Sequence, residues 1–256
     1  MNILCVGDVV GSAGCRHLET VLPAIKRQYA VDVCIVNGEN SADGNGITRV
    51  SAERLFACGA DAITTGNHVF RRPEVYELIE QQNGVLRPHN YPSSAPGSGV
   101  FIVDKGRFQV AVINLLGVVY MEPLACPFET LDTVLASPDL PVCRIVDFHA
   151  EATAEKKALA YFADGRVSAV LGTHTHVQTA DEQLLPGGTA FISDIGMTGP
   201  IESVLGIRPE LAVAKMRDKL PVRFAVADGD CMMNAVLLTV DQKTGKTTAI
   251  QRLDVR

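Results

Sequence analysis

The sequence predicts a single α/β domain that spans residues 1–256 and contains a mixed β-sheet. Two observations support this fold class: apolar segments with the residue types of strands alternate with segments whose apolar residues recur at helical spacing, and one hairpin interrupts the alternation. The sequence contains no internal repeat, low-complexity tract or long polar linker that would divide the chain. A chain of this length can also bury a large core.

The first part of the chain is predicted to contain three strands, each followed by a polar loop and a helix. The first helix is predicted from Ser12 onward, because apolar residues recur at helical spacing between Leu18 and Ile25. Gly59 and the pair Asn83-Gly84 are the stop signals of the next two helices. Strands are predicted at 2–7, 32–36 and 60–64, and the later helices at 51–58 and from Pro73 to about Gln82.

The second part of the chain is predicted to begin with an antiparallel hairpin and to end in further strands. The hairpin consists of residues 99–104 and 108–115, which flank a glycine turn. Beyond it, strands are predicted at 142–148 and 167–171 with a helix at 153–163 between them, and then at 222–227, 232–240 and 247–253. Both parallel and antiparallel neighbours are therefore expected, as in a mixed sheet.

Charge and composition exclude several function classes. The chain has 23 Lys and Arg against 29 Asp and Glu, a formal charge of −6, and no basic run is longer than a pair. A nonspecific nucleic-acid surface needs clustered cations, so none is expected. A phosphate-bearing substrate would have to be attracted by something other than bulk charge, and bound metal ions are one candidate.

The cysteines and apolar segments indicate a cytoplasmic protein without a membrane partner. The seven cysteines never occur as C-x-x-C and most lie in apolar stretches, which favours buried reduced thiols over disulfides or a zinc knuckle. The N-terminus has no basic region before its apolar stretch, so no signal peptide is expected. The most apolar segment, 110–121, is broken by Asn114 and is too short to span a bilayer.

Side chains that can bind metals follow the predicted strands. The loops at the carboxyl ends of strands form the ligand sites of α/β sheets, so these residues are expected to converge on one pocket. Four of the six histidines are in this group. Its members are Asp8, Glu39, Asn40, Asn67, His68, His149, His174 and His176.

Each of these residues also has a purely structural explanation. A lone Asp or Asn after a strand most often caps a helix or forms an Asx turn, and a single histidine such as His68 or His149 is about as often a hydrogen-bonded core residue. His174 and His176 are a stronger signal, because alternate residues of an extended chain point to the same face. The candidate residues lie in five separate segments, so the structural explanations would require five coincidences, one for each segment.

The types of candidate ligand indicate two metal ions and phosphoester chemistry. Two carboxylates, two carboxamides and three histidines are too many for one tetrahedral ion and suit two ions of higher coordination number. With no cysteine among them, Mn²⁺ or Fe is favoured over structural zinc. Two ions ~3.5–4 Å apart can clamp both oxygens of an in-line phosphoryl displacement and produce a bridging hydroxide near neutral pH.

These motifs resemble the calcineurin-like metallophosphoesterase superfamily and, more closely, its YmdB-like bacterial branch. The similar segments are GDVVG at 7–11, NGENSADGNGIT at 37–48, GADAITTGNH at 59–68, DFHAEATAEK at 147–156, VLGTHTHVQTAD at 170–181 and SDIGMTGP at 193–200. The resemblance covers essentially the whole chain. It implies mixed β-sheets packed as a sandwich and flanked by helices, two divalent or mixed-valence metal ions, and phosphodiesterase activity on small nucleotides, including 2′,3′-cyclic nucleotides.

The resemblance also implies a role for each candidate residue. The first ion would be held by Asp8, Glu39, Asn40 and His176, and the second by Glu39, Asn67, His149 and His174. Position 10 is Val where the superfamily has a histidine, and Asn40 is implied to take its place. His68 is not needed in either set, so it is free to protonate the departing alkoxide as general acid. Val69 follows it where many relatives have an acidic residue, so the partner of its second nitrogen must lie elsewhere.

The sequence also allows other functions. The protein could keep its metals and act as a regulatory module that binds a nucleotide or a partner with little turnover, or it could be a metal-dependent amidohydrolase. A dinucleotide-binding turn at residues 7–14 has the wrong glycine spacing. Residues 87–91, with Tyr91 available to stack on a base, and residues 193–200 are the expected pocket walls, although 87–91 also fits an ordinary surface loop. A homo-oligomer is expected only because symmetric assembly is common among soluble enzymes.

Overall fold

Two mixed β-sheets pack face to face and helices cover their outer faces in the computed structural model, which describes residues 1–81 and 84–256. The strands are β1 (Asn2–Val6), β2 (Asp8–Val9), β3 (Val33–Asn37), β4 (Ala62–Thr64), β5 (Val100–Asp104), β6 (Gln109–Leu116), β7 (Cys143–His149), β8 (Ala169–Thr173), β9 (Gln183–Leu184), β10 (Ala190–Ile192), β11 (Met197–Pro200), β12 (Cys231–Val240) and β13 (Thr247–Val255). The α-helices are α1 (Gly11–Gln28), α2 (Arg49–Ala57), α3 (Val75–Glu80), α4 (Pro127–Leu135), α5 (Thr153–Phe162) and α6 (Pro209–Asp218), and a 3-10 helix spans Val69–Arg71.

The first sheet combines strands from both ends of the chain. β1 is parallel to β3, and β3 is parallel to β4, so their carboxyl ends lie at the same edge. β12 is antiparallel to β1, β11 and β13, and β11 is parallel to the short β2. The second sheet has the order β5-β6-β7-β8-β10-β9. In it β6, β7, β8 and β10 are parallel, while the outer strands β5 and β9 are antiparallel to their neighbours.

The core forms three layers that explain the apolar strand sequences. Ile3 and Cys5 of β1 lie in the layer between the two sheets, whereas Leu4 and Val6 pack in the layer under α1, α2 and α3. The third layer packs the second sheet against α4 and α5. Because both faces of the central strands are covered, these strands are apolar at most positions instead of alternating.

The expected fold class, a sandwich of mixed sheets flanked by helices, is confirmed. The hairpin, the three early strands and the helix after Ser12 form as predicted, and the strand predicted at 167–171 lies two residues later. The strand predicted at 222–227 is wrong: among the described residues of that segment only Val226 pairs, in an isolated bridge with Ile207. α4 and α6 were not predicted. The helix predicted from Pro73 begins at Val75, and its predicted end at Gln82 and Asn83 lies outside the described residues.

None of the described helices is long and apolar enough to cross a membrane.

Candidate metal centre

The eight candidate residues lie at the carboxyl ends of strands from both sheets. Asp8 follows β1, Glu39 and Asn40 follow β3, and Asn67 and His68 follow β4, all in the first sheet. The second sheet contributes His149, which is the last residue of β7, and His174 and His176, which follow β8. All eight side chains take part in one network of close polar contacts at this end of the sandwich.

His149 is the centre of one group of these side chains. Its Nε2 lies 3.2 Å from Glu39 Oε1, 3.2 Å from Asn67 Oδ1 and 3.1 Å from His174 Nδ1. His149 itself is completely buried, as is Glu39. Four groups that can each offer a lone pair therefore lie close together, which makes them candidate ligands of one cation.

Asp8, Asn40 and His176 form the second group. Asp8 Oδ1 lies 3.6 Å from His176 Nε2, and the Asn40 amide nitrogen lies 3.4 Å from Asp8 Oδ1 and 3.1 Å from His176 Nε2. The two groups adjoin each other, because Asp8 Oδ1 is 4.0 Å from His149 Nδ1. The structure thus brings all seven candidate ligands together in two neighbouring groups, while their role as ligands stays a prediction.

Outer hydrogen bonds fix which nitrogen of each histidine faces the site. His176 Nδ1 lies 3.0 Å from the Leu205 carbonyl, which can only accept, so Nδ1 donates and Nε2 keeps its lone pair. The hydroxyl of Thr173 donates to Asp147 Oδ1 at 2.7 Å, and it therefore accepts from His149 Nδ1 at 2.9 Å. When neither ring carries a second proton, both therefore present the lone pair of Nε2 to the site, as metal ligands must.

These outer partners were not predicted from the sequence. Thr173 ends β8 directly before His174, and a hydroxyl at that position was a usable signal. Glu151 Oε2 lies 3.1 Å from His174 Nε2, and a carboxylate two residues after His149 was another signal. The Leu205 carbonyl had none, because every residue type offers the same backbone oxygen.

The turn that bears His174 and His176 is held in place by a buried ion pair. Both histidines have positive φ angles, 101° and 63°, which are costly for residues with a side chain. Between them, the backbone N–H and hydroxyl of Thr175 donate to Asp194 Oδ2 at 2.9 and 2.8 Å. Lys156 Nζ donates to the same oxygen at 3.0 Å, and both charged side chains are only 1% exposed. Asp194 and Lys156 therefore stabilise the strained turn.

The electrostatics of the site favour an added positive charge. Burial alone would lower the pKa of His149, but Glu39 and Asp8 outweigh burial and raise the pKa to about 9. Burial would raise the pKa of Asp8, but His176 outweighs it and holds that pKa well below its usual range. Two buried carboxylates thus stay ionised and attract positive charge, which a proton on His149 or a metal ion can supply.

Two further observations test whether a metal fits. Glu39 Oε2 is buried without a hydrogen-bond partner, as expected for an oxygen that is free to bind a cation. A Cβ on Gly66 would lie 2.5 Å from this oxygen and would collide with the His149 ring, so glycine keeps the space beside the carboxylate open. Within residues 1–81 and 84–256 no three His, Cys, Asp or Glu side chains already surround an ion-sized point, because they contact one another in pairs. The donor set fits metal ions once these contacts separate.

His68 lies beside both groups and lines a cavity. Its Nδ1 is 2.9 Å from Asn40 Oδ1 and 3.4 Å from Glu39 Oε1, which are the missing partners of its second nitrogen. Burial lowers the pKa of His68, and Glu39 offsets part of this shift. The cavity measures about 580 Å³ and is lined by Asp43, Gly44, Asn45, His68, Arg72, Ile207, Arg223 and Phe224.

The expected pocket walls are therefore wrong for this cavity. None of residues 87–91 or 193–200 lines it among the described residues. Arg87 is 5% exposed and donates to backbone carbonyls, including that of Pro88 at 2.8 Å. Tyr91 packs edge-on against Phe70 with ring centroids 5.3 Å apart, so this partly buried ring lies against the core.

Comparisons with known proteins show which family and which structures this chain is similar to. The family model described as "YmdB-like protein" matches residues 4–253. A curated relative from Bacillus subtilis (strain 168), named "2′,3′-cyclic-nucleotide 2′-phosphodiesterase", is 44% identical over 254 residues, which cover 99% of this chain and 96% of the relative. A crystal structure of a hypothetical protein from Thermus thermophilus has a TM-score of 0.94 at 39% identity and covers 99% of this chain and 98% of that one. A putative 5′-nucleotidase from Staphylococcus aureus shares the fold alone: its TM-score is 0.60 at 15% identity, covering 100% of this chain and 54% of that chain.

Proposed function

The chain belongs to the YmdB-like protein family, and from that membership we propose that it is a metal-dependent phosphodiesterase that acts on small nucleotides. The observation that supports this proposal most directly is the convergence of seven ligand-type side chains from two sheets, with His68 beside them at a cavity. This arrangement is suited to cleaving a bond between phosphorus and oxygen. The proposed substrates are 2′,3′-cyclic nucleotides, because the 44% identical relative bears that name.

Two groups of residues would hold the metal ions. The first is Asp8, Glu39, Asn40 and His176, and the second is Glu39, Asn67, His149 and His174. Since no cysteine belongs to either group, Mn²⁺ or Fe suits these oxygen and nitrogen ligands. Bound metal ions supply Lewis acidity, which polarises the phosphoryl oxygens and lowers the pKa of an attacking water.

The Asn40 amide connects the ligand groups to His68. Its nitrogen faces Asp8 and His176, and its oxygen faces His68 Nδ1. Only the amide oxygen can bind a cation, so Asn40 would serve as a ligand through Oδ1. Glu39 Oε1, 3.4 Å from His68 Nδ1, can then accept from that nitrogen. The transferable proton of a protonated His68 ring would therefore lie on Nε2.

His68 is proposed to be the general acid. Water adds its oxygen to phosphorus, the bond from phosphorus to the ribose oxygen breaks, and His68 gives its proton to that departing oxygen. Because burial lowers the pKa of His68, the ring is neutral in the free protein near pH 7. An anionic phosphate bound beside the ring favours its protonated form, so substrate binding prepares the acid for the reaction.

Chelator-stripped protein tests the metal requirement. With bis(p-nitrophenyl) phosphate as substrate, activity should disappear on stripping and return when Mn²⁺ or Fe²⁺ is added. Bound metal is counted in the same samples by mass spectrometry. If protein that contains metal cleaves neither this substrate nor 2′,3′-cyclic nucleotides, the proposed activity is wrong and a binding module becomes the better interpretation.

Matched variants separate the ligands from the acid. Asp8→Ala and Asn67→Ala should lose metal and turnover together, because each removes a ligand of one group. His68→Ala should keep its metal and lose about 10²–10⁴-fold in turnover on a substrate with a poor leaving group. His17→Ala is the control, because His17 lies on α1 outside the site. Full turnover of His68→Ala on the poor leaving group would exclude the acid role.

A further inference from the structure

The cavity beside His68 extends away from the candidate metal centre. A second cavity, of about 420 Å³, shares Asp43, Arg223 and Phe224 with the first and lies on the side of Ser12. Residues 223 and 224 therefore border both cavities. Each volume lies in the range of small-molecule sites, so the depression offers room for more of a substrate than its scissile phosphate.

Two of the three residues on this border, Arg223 and Phe224, have the chemistry of a nucleotide site, and the third, Asp43, lies 3.7 Å from the Arg72 guanidinium. Phe224 is 50% exposed, although a large aromatic side chain gains most from burial. Arg223 is exposed and makes no ion pair within residues 1–81 and 84–256. The neighbouring Arg72 differs, because it donates to the carbonyls of Asn45 and Ala42 at 3.0 and 3.1 Å. An aromatic face and an uncommitted guanidinium together suit a base and a phosphate.

Backbone contacts hold this segment in place relative to the metal ligands. Arg208 N donates to the Ala225 carbonyl at 3.0 Å, and Ala227 N donates to the Gly206 carbonyl at 2.9 Å. The adjoining Leu205 carbonyl accepts from His176. Val226 also packs against Gly11 and Gly44, where a Cβ would approach its side chain to 3.0 and 2.9 Å. Residues 223–226 are therefore held against residues 205–208, the stretch whose Leu205 carbonyl orients the candidate ligand His176.

We propose that Arg223 and Phe224 form a nucleoside subsite, in which Phe224 stacks on the base and Arg223 pairs with a phosphate other than the one being cleaved. This inference rests on the proposed function and specifies its substrate: a nucleotide with a base and a second phosphate, such as one with a 5′-phosphate. The cavity lined by His68 holds the scissile group, and the Arg223–Phe224 border holds the rest.

The base contact is tested by comparing two substrates in the metal-loaded protein. These are a nucleoside 2′,3′-cyclic phosphate and ribose 2′,3′-cyclic phosphate, which lacks the base. The wild-type protein should prefer the first in kcat/KM. Phe224→Ala should reduce this preference by roughly 5- to 150-fold, the usual contribution of one base stack on an aromatic ring. Phe224→Tyr should restore it, and Tyr161→Ala, at an exposed aromatic residue on α5, should leave the preference unchanged.

The phosphate contact is tested with a 5′-phosphorylated cyclic nucleotide. Arg223→Gln should lower its advantage over the unphosphorylated nucleotide by about fivefold, the effect of an exposed charge pair. Arg107→Gln, at an exposed arginine in the β5–β6 turn, is the control. Equal advantages in the wild type and Arg223→Gln would overturn this part of the inference.

Binding to metal-free protein separates this inference from the proposed activity. Isothermal titration with a nucleoside 3′-monophosphate and with inorganic phosphate should show tighter binding of the nucleotide, and Phe224→Ala should abolish the difference. If the metal-free protein binds in this way but the metal-loaded protein shows no turnover, the proposed enzyme activity is refuted and the subsite is kept. Turnover with equal kcat/KM on the two cyclic phosphates would keep the enzyme and refute the subsite.

Discussion

Removing the charge of Lys156 should destabilise the protein strongly, in a way that depends on pH. Lys156→Met keeps most of the side-chain volume and removes the ion pair with Asp194, whose two members are each 1% exposed. Breaking a buried ion pair typically costs about 3–5 kcal/mol, because the remaining charge is left buried without its partner. Asp194 keeps three hydrogen bonds, from Thr175 N, Thr175 Oγ1 and Gly196 N, so we expect the lower end, about 3 kcal/mol.

The sign of the pH dependence follows from the pKa of Asp194. Burial raises this pKa in the folded protein, and loss of Lys156 raises it further. A carboxyl whose folded-state pKa is raised contributes stability below its unfolded pKa and loses that contribution as pH rises through the folded value. Lys156→Met should therefore lose less stability relative to the wild type at pH 5 than at pH 8.

Urea denaturation of metal-free protein, followed by circular dichroism, measures this effect without linkage to metal binding. With a slope of about 3 kcal/mol/M, a loss of ~3 kcal/mol moves the midpoint by about 1 M. Lys156→Met/Asp194→Asn should be more stable than Lys156→Met, because the uncompensated charge is gone. Arg217→Met breaks the exposed pair with Asp218 and should leave the urea midpoint nearly unchanged. A loss below about 1 kcal/mol in Lys156→Met at pH 8, or no recovery in the double variant, would refute the reasoning.

Two further substitutions test the surroundings of the candidate ligands. Gly66→Ala should fold yet bind less metal, since its methyl group would occupy the space beside Glu39 Oε2; an unchanged metal content by mass spectrometry would contradict this. Thr173→Val keeps the shape of the residue but removes the hydroxyl that accepts from His149 Nδ1. Metal affinity, measured by a competition titration with a chelator, should therefore fall by about 10- to 100-fold. The control Thr133→Val, on the exposed part of α4, should leave the metal affinity unchanged.

Much of the site was predictable because the relevant rule concerns strand ends. Apolar runs such as 2–6 locate a strand, and the polar residue that follows must lie at the sheet edge. The sequence could not show that Asp8 and His149 come from different sheets, because nearly every position of β1 and β7 is buried and the usual alternation is absent. Tertiary packing, and not the local preference of each segment, determines which strands pair in one sheet.

The errors have physical reasons as well. α6 was missed because only Ala212 is buried on it, whereas Val213 and Met216 are exposed, so no apolar stripe faces the core. The segment 222–227 is apolar except for Arg223, as a strand can be, yet Phe224 is half exposed and the segment pairs only through an isolated bridge at Val226. Its pattern thus reflects the surface beside a cavity, and local periodicity alone does not distinguish that from a strand.

The position of β12 beside β1 has a consequence for synthesis on the ribosome. Asn2 pairs with Thr239. One edge of β1, which is among the first strands to be synthesised, therefore stays unpaired until β12, one of the last, has been made. At about 5–20 residues per second, that wait is on the order of 10–50 s. Throughout it, the backbone groups of β1 on that side have no strand partner and can pair with other chains. The nascent chain is therefore expected to keep this edge of β1 open for nearly all of its synthesis, even though the finished sheet leaves β1 covered on both sides.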